Sequence, residues 1–163
     1  TSVGVKALTD ICCTSSNAVE IVRSLPVNAK IVFAPDRNLG NYIQSVTGRD
    51  MVVWDGACHV HEEFSLEKII ELKKQYPEAK VLAHPECKKP VLLVADYVGS
   101  TAALLNYATQ SDADTFIVVT EPDGQGQSVE TFHSGSPVRF DMRMQRLFVH
   151  ETRYARQNVR GIA

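Results

Sequence analysis

Nothing in this sequence is present in excess. Lys and Arg total 17 against 19 Asp and Glu, giving a formal net charge of -2 and a pI near 6.2. There is therefore no basic surplus of the kind that marks a nucleic-acid partner. No stretch approaches the ~18 consecutive apolar residues of a membrane span, so no membrane partner is expected. Only 4 Cys occur, and Cys12 and Cys13 are adjacent. That is too sparse for a disulfide framework and points to the reducing cytoplasm. The chain opens at Thr1 with neither an initiator Met nor a signal-peptide pattern, and reads as a piece of something longer. Beyond Pro122 there is no Cys and no Lys; all 6 basic residues there are Arg.

What is present is organised around residues 50–86. Two short clusters stand there, Gly56-Ala57-Cys58-His59-Val60-His61 and His84-Pro85-Glu86-Cys87. Each follows an apolar run, Met51-Val52-Val53-Trp54 and Val81-Leu82-Ala83. Apolar runs of that length are buried strands of a parallel sheet, and ligands of such sheets collect beyond the carboxyl ends of the strands.

Strand expectations fall on Thr9–Cys13, Lys30–Pro35, Met51–Trp54, Lys80–Ala83 and Thr115–Thr120. Between them helices are expected. One follows Thr14-Ser15-Ser16-Asn17 and stops near Leu25-Pro26, and one covers Asn41–Thr47 after an exit loop, Asp36–Gly40. Ser65 caps an amphipathic helix carrying Leu66, Ile69, Ile70 and Leu72, which Pro77 ends; further helices cover about Lys89–Asp96 and Ser100–Ala108. The alternation is that of an α/β fold with small parallel sheets in three layers. A shift of 85 residues carries Ser15 onto Ser100 and Ile31-Val32-Phe33 onto Phe116-Ile117-Val118. That pattern gives a pseudo-repeat: an α/β domain over 1–87, the start of a second over 88–121, and an unassigned tail over 122–163.

The chemistry-bearing residues follow from this placement. Cys58 after a Gly at a strand end can present a thiolate, although an isolated Cys is as often a small buried hydrophobe. His61 stands three residues on, at ligand or supporting spacing, while His59 faces away toward solvent. Pro85 fixes the backbone beside His84 and Glu86, and an imidazole and carboxylate held together can divide acid and base duties. Ser15, Ser16, Ser100 and Thr101 open helices and suit phosphate or carboxylate groups, or serve as ordinary caps. Trp54 and Tyr42 are packing residues. A zinc set of Cys58, His61, His84 and Glu86 is conceivable, in no standard zinc spacing.

Taken together, Asp10–Ala18, Pro35-Asp36-Arg37-Asn38-Leu39-Gly40, Trp54-x-Gly56-x-Cys58-x-x-His61, His84-Pro85-Glu86 and Val98-Gly99-Ser100-Thr101 resemble quinolinate synthases in order and spacing, over about residues 1–121. The resemblance implies three similar α/β domains around a [4Fe-4S] cluster. It also implies condensation of iminoaspartate with dihydroxyacetone phosphate to quinolinate in NAD biosynthesis, the iminoaspartate supplied by an aspartate oxidase or dehydrogenase. It makes Cys58 one of three cluster ligands and His84 and Glu86 the proton-transferring pair. Ser15, Pro85 and Thr101 join them in substrate binding. Cys12, Cys13 and Cys87 are then packing residues. The resemblance covers the middle and part of the last domain; a Tyr-x-Asn substrate motif would precede Thr1, and no later Cys supplies the third ligand. The competing expectations are a non-catalytic phosphate-binding α/β fragment and a zinc-dependent hydrolase.

Overall fold

The computed structural model describes residues 1–113, 115–120 and the backbone of 148–151. They form an α/β fold with two small sheets.

In the first sheet β1 (Val32–Phe33) runs parallel to β2 (Val52–Val53), with Phe33 opposite Val53. Both strands are shorter than their apolar runs. Helices α2 (Ala18–Ser24) and α3 (Arg37–Thr47) cover one face, burying Ala18, Val22, Phe33, Leu39, Ile43 and Met51, with Tyr42 packed at the margin. Val32, Val52 and Trp54 alternate onto the other face and are exposed. Trp54 is thus a surface residue.

Helix α3 starts earlier than the sequence pattern implies. The expected exit loop Asp36–Gly40 is its N-cap and first turn, because the Asp36 carboxylate accepts the Leu39 N–H at 2.7 Å. Gly40 sits inside the helix for a packing reason: a Cβ there would lie 2.6 Å from Val53 Cγ1. Ahead of α2, residues 10–13 form an exposed bend and loop rather than the expected strand. No strand pairs with them among the described residues, and an unpaired strand has no ladder to hold it. Upstream, the one-turn α1 (Val3–Lys6) buries nothing.

The second sheet has the order β4-β3-β5-β6. Strands β3 (Lys80–Ala83), β4 (Tyr97–Val98) and β5 (Thr115–Val119) are parallel, and β6 (Phe148–Glu151) adds antiparallel to β5. Val81, Ala83, Ile117 and Val119 point to one face, where α5 (Leu66–Gln75) and α6 (Lys89–Leu93) bring Ile69 and Val91. Leu82 and Phe116 point to the other, against Leu104 and Ala108 of α7 (Thr101–Gln110). The sheet is a filled middle layer, which is why β3 reads as an unbroken apolar run. Ser65 caps α5 through the Lys68 N–H, as its position implies.

The border expected between residues 87 and 88 falls between β3 and β4, which are hydrogen-bonded neighbours in one sheet. Of the tail, only β6 lies within the described residues. Among the described residues no helix is long and apolar enough to cross a membrane.

Candidate functional site

The turns leaving the carboxyl ends of β1, β2 and β3 carry the polar groups of the site, apart from Ser15, which comes from the turn ahead of α2. Beyond β1, Pro35 leads into Asp36; beyond β2, the chain passes Gly56 to Cys58, the N-cap of the one-turn helix α4 (His59–Glu62). Gly56 lets the two turns touch. A Cβ there would meet the Pro35 carbonyl oxygen at 2.5 Å, and the Arg37 N–H donates to the Gly56 carbonyl at 2.7 Å.

Asp36 is 5% exposed and joins both turns. One carboxylate oxygen accepts the Leu39 N–H at 2.7 Å and the other the Cys58 N–H at 2.8 Å. Burial pushes its pKa up from the ordinary value, and the two backbone N–H groups work against that rise. Helix α4 is pinned from outside by Glu62. That carboxylate accepts from Asn38 Nδ2 at 2.8 Å and lies 3.4 Å from the Arg37 guanidinium and 3.8 Å from Lys88 Nζ.

Through this anchoring His61 is driven inward, to 1% exposure, while His59 stays at the surface. Its ring stacks on His84, with centroids 4.7 Å apart and planes 22° from parallel, and meets the Phe64 edge. His61 Nδ1 is 3.3 Å from a Glu86 carboxylate oxygen, close enough for an ion pair. Nδ1 has this contact with Glu86 as its one polar neighbour, and Nε2 is buried without a hydrogen-bond partner among the described residues.

Beyond β3 the turn His84-Pro85-Glu86-Cys87 is held by backbone bonds from the His84 N–H to Val119 and from the Cys87 N–H to His84. The His84 Nδ1 accepts the Glu86 N–H at 3.3 Å, which leaves the ring proton on Nε2, directed at Ser15 Oγ at 3.0 Å. Burial, with His61 beside it, pushes the His84 pKa down to about 4 against the pull of Glu86, so the ring is neutral at pH 7. The His61 imidazole holds the Glu86 carboxyl below its usual range, overcoming partial burial, with His84 adding to the effect. An uncharged donor and an ionised acceptor therefore stand side by side.

Five of the expected residues come together: Ser15, Cys58, His61, His84 and Glu86. Thr101 stands at the start of α7, where its hydroxyl meets Thr120 beyond β5 at 3.5 Å rather than the His–Glu group. Ser100 is the cap there, accepting from the Ala103 N–H, whereas Ser15 precedes α2 in a turn and Asn17 holds the N-cap position. Cys87 packs as expected, fully buried with its thiol on the Val119 carbonyl, and burial pushes its pKa up to about 12. Cys12 and Cys13, expected to pack, are exposed instead, because the segment bearing them joins no sheet. Asp36 is the residue that residue-type reasoning missed. Its signal was an Asp three positions ahead of Leu39 at a strand end, the spacing of a cap.

The donor atoms of Cys58, His61 and Glu86 lie within 4.8 Å of one another, close enough that they could hold a metal ion. His84 stands outside that set, both of its nitrogens being engaged elsewhere.

A family model described as "Quinolinate synthetase A protein" matches residues 1–130. The quinolinate synthase of Microcystis aeruginosa is 61% identical over 121 residues, covering 74% of this chain and 38% of that protein. That of Thermosynechococcus vestitus is 60% identical over the same length and shares. That of Chloroherpeton thalassium is 57% identical over 120 residues, covering 74% of this chain and 37% of that protein. The chain thus spans under two fifths of the length of these relatives. With a match over this much of its own length, and with its site residues inside the matched part, the chain belongs to the quinolinate synthase family.

Proposed function

We propose that the whole protein, of which this chain spans a part, condenses iminoaspartate with dihydroxyacetone phosphate to quinolinate in cytoplasmic NAD biosynthesis. In this reading an aspartate oxidase or dehydrogenase supplies the iminoaspartate, and the complete fold is three similar α/β domains in pseudo-repeat. The observation that carries the proposal is the pairing of His84 and Glu86 beside Ser15, inside a sequence stretch about 60% identical to proteins named quinolinate synthase.

Each residue has a role that its surroundings support. Glu86, held ionised, accepts a proton from carbon or nitrogen of the condensing substrates. Neutral His84 donates its Nε2 proton to a substrate oxygen, in place of the hydrogen bond it makes to Ser15. Ser15 offers its hydroxyl to carboxylate or phosphate oxygens; Thr101, whose hydroxyl meets Thr120 instead, is proposed for the same task on the family resemblance alone. Pro85, fully buried, stiffens the turn so that the imidazole and carboxylate keep their relation.

The family's [4Fe-4S] cluster meets a mismatch in the described residues. Such clusters are held mainly by Cys thiolates, and Cys58 is the one cysteine in the donor group formed here. Cys87 is a buried thiol turned to a carbonyl, and Cys12 bonds to Thr9 and Lys6 in an exposed segment. In the whole protein Cys58 is proposed as one of three thiolates, the other two from outside these residues. When bound, such a cluster supplies a Lewis-acid iron.

The test uses the full-length protein reconstituted anaerobically with iron and sulfide. Glu86→Gln is expected to keep its iron and sulfide and lose quinolinate formation at least a hundredfold, the usual weight of a proton-transfer group. Wild-type turnover by that variant would remove Glu86 from its role.

A further inference from the structure

Three strand-end turns meet on one partly exposed carboxylate, that of Glu62 at the end of α4. Asn38 Nδ2 donates to it at 2.8 Å, the Arg37 guanidinium lies 3.4 Å away and Lys88 Nζ 3.8 Å. Arg37 and Asn38 open α3 beyond β1, and Lys88 is the N-cap of α6, two residues past Glu86 beyond β3. We propose that Glu62 is a positioning residue: by tying the turns of the two sheets together, it sets how Cys58 and His61 stand relative to Glu86, without itself touching substrate. Its effect on rate rests on the proposed reaction; its effect on the shape of the site rests on this chain's geometry alone.

The need for such a residue comes from α4 itself. It is a single turn, too short to be stable alone, and its N-cap Cys58 makes no side-chain bond to it. What holds it is therefore external: Asp36 on the Cys58 N–H at its start, the burial of Val60, and the contacts of Glu62 at its end. The first two fix where the turn begins and keep it against the protein. Glu62 fixes its rotation. It follows His61 directly, ~100° further around the helix axis. With the Glu62 carboxylate clamped, the His61 ring is left facing inward onto His84 and Glu86.

These contacts carry little of the stability of the fold. The side chains of Arg37, Lys88 and Glu62 are 38%, 43% and 27% exposed, and ion pairs so open to water contribute little. Position is another matter, because a displacement of about 1 Å at a reacting group can lower a rate on the order of a hundredfold. Loss of Glu62 should therefore leave the chain folded and its site misaligned, which separates positioning from general support.

Two sets of measurements test this. In the 163-residue chain, Glu62→Ala should speed iodoacetamide alkylation of Cys58 by about fivefold or more, while buried Cys87 stays unlabelled. It should also remove the NMR cross-relaxation between the stacked His61 and His84 rings. Glu62→Gln keeps an acceptor for Asn38 and loses both ion pairs; it should speed Cys58 alkylation by about twofold or more, and it decides the matter if Glu62→Ala does not fold. Asp55→Ala, which removes an exposed partner of Arg37, should behave like the parent. In the full-length protein, Glu62→Ala should lower kcat for quinolinate formation about tenfold or more, with KM changed less than about threefold. Parental Cys58 alkylation and ring contact in the Glu62 variants, an equal effect from Asp55→Ala, labelling of Cys87 together with Cys58, or a raised KM with kcat intact would each overturn the proposal. If the full-length parent makes no quinolinate, the proposed reaction falls, and the alkylation and ring-contact measurements alone decide the role of Glu62.

Discussion

Asp36 Oδ2 accepts the backbone N–H of Cys58 at 2.8 Å across 22 residues of sequence, while its other oxygen caps α3. One buried carboxylate thus fixes both the start of a helix and the residue whose sulfur enters the site. The cap and the cross-turn bond are separable in principle, and substitution shows how much each contributes.

Asp36→Ala removes a cap worth about 0.5–2 kcal/mol and leaves the Cys58 N–H unpaired at a cost of about 1–3 kcal/mol. A loss of roughly 2–4 kcal/mol in unfolding free energy is expected from urea titration. Asp36→Asn keeps one acceptor oxygen and should lose about half as much. Equal stability of the Ala variant and the parent would show that the carboxylate ties nothing together.

The four cysteines should separate by reactivity. Cys12 and Cys13 are exposed, Cys58 is half-buried, and Cys87 is an interior thiol with its pKa pushed up to about 12 by burial. Iodoacetamide at pH 8 followed by peptide mass spectrometry should find Cys12 and Cys13 labelled first and Cys58 later, with Cys87 labelled only after unfolding. Labelling of Cys87 in the folded chain would contradict its burial.

How much of this could be read from the sequence depended on range. Helix α5 and strands β3 and β5 announce themselves, because a Ser cap, an apolar stripe and unbroken apolar runs are local signals. Even so, Ile70 of the expected stripe is 43% exposed, since the helix turns Ile69 rather than both toward the sheet. The start of α3 was illegible, because Gly40 argues against a helix until Val53 is known to press on it. Thr9–Cys13 has the apolar look of a strand, but a strand exists only with a partner. The identities of Cys58, His84 and Glu86 stood out locally. The closeness of His61 to Glu86, 25 residues on, comes from the two sheets meeting and leaves no mark in either cluster.

Acid should destabilise the chain through His84. Its pKa is about 4 when folded, against an ordinary 6.5, so between those values the unfolded chain binds more protons and stability rises with pH. The contribution is complete above about pH 6.5 and is lost as pH falls toward 4, on the order of 2–3 kcal/mol in all. Glu86, held below its usual range, acts with the same sign at still lower pH; Asp36, raised by burial, acts with the opposite one. Urea midpoints at pH 7, 5.5 and 4.5 should fall for the parent and fall less for His84→Gln. Parallel curves for the two proteins would show that His84 is not held neutral by the fold.

Gly40→Ala sets two effects of opposite sign against each other. Replacing Gly by Ala inside a helix gains about 1 kcal/mol from propensity alone. Here the new Cβ would stand 2.6 Å from Val53 Cγ1, 3.0 Å from Val53 Cγ2 and 3.1 Å from the Phe33 ring. All three are side-chain atoms of the small first sheet, so α3 must lift or the β-branched Val53 must leave its preferred rotamer, and overpacking of this kind costs about 1–3 kcal/mol. The clash should win, lowering stability by up to about 2 kcal/mol. Val53→Ala alone should also destabilise, by removing methyl groups that touch the helix. Combined, the two changes relieve each other: the added methyl occupies space that Val53 vacates, and the double variant should be more stable than the sum of the single losses predicts by at least 1 kcal/mol. Strict additivity in that cycle would mean that α3 and β2 do not meet at Gly40.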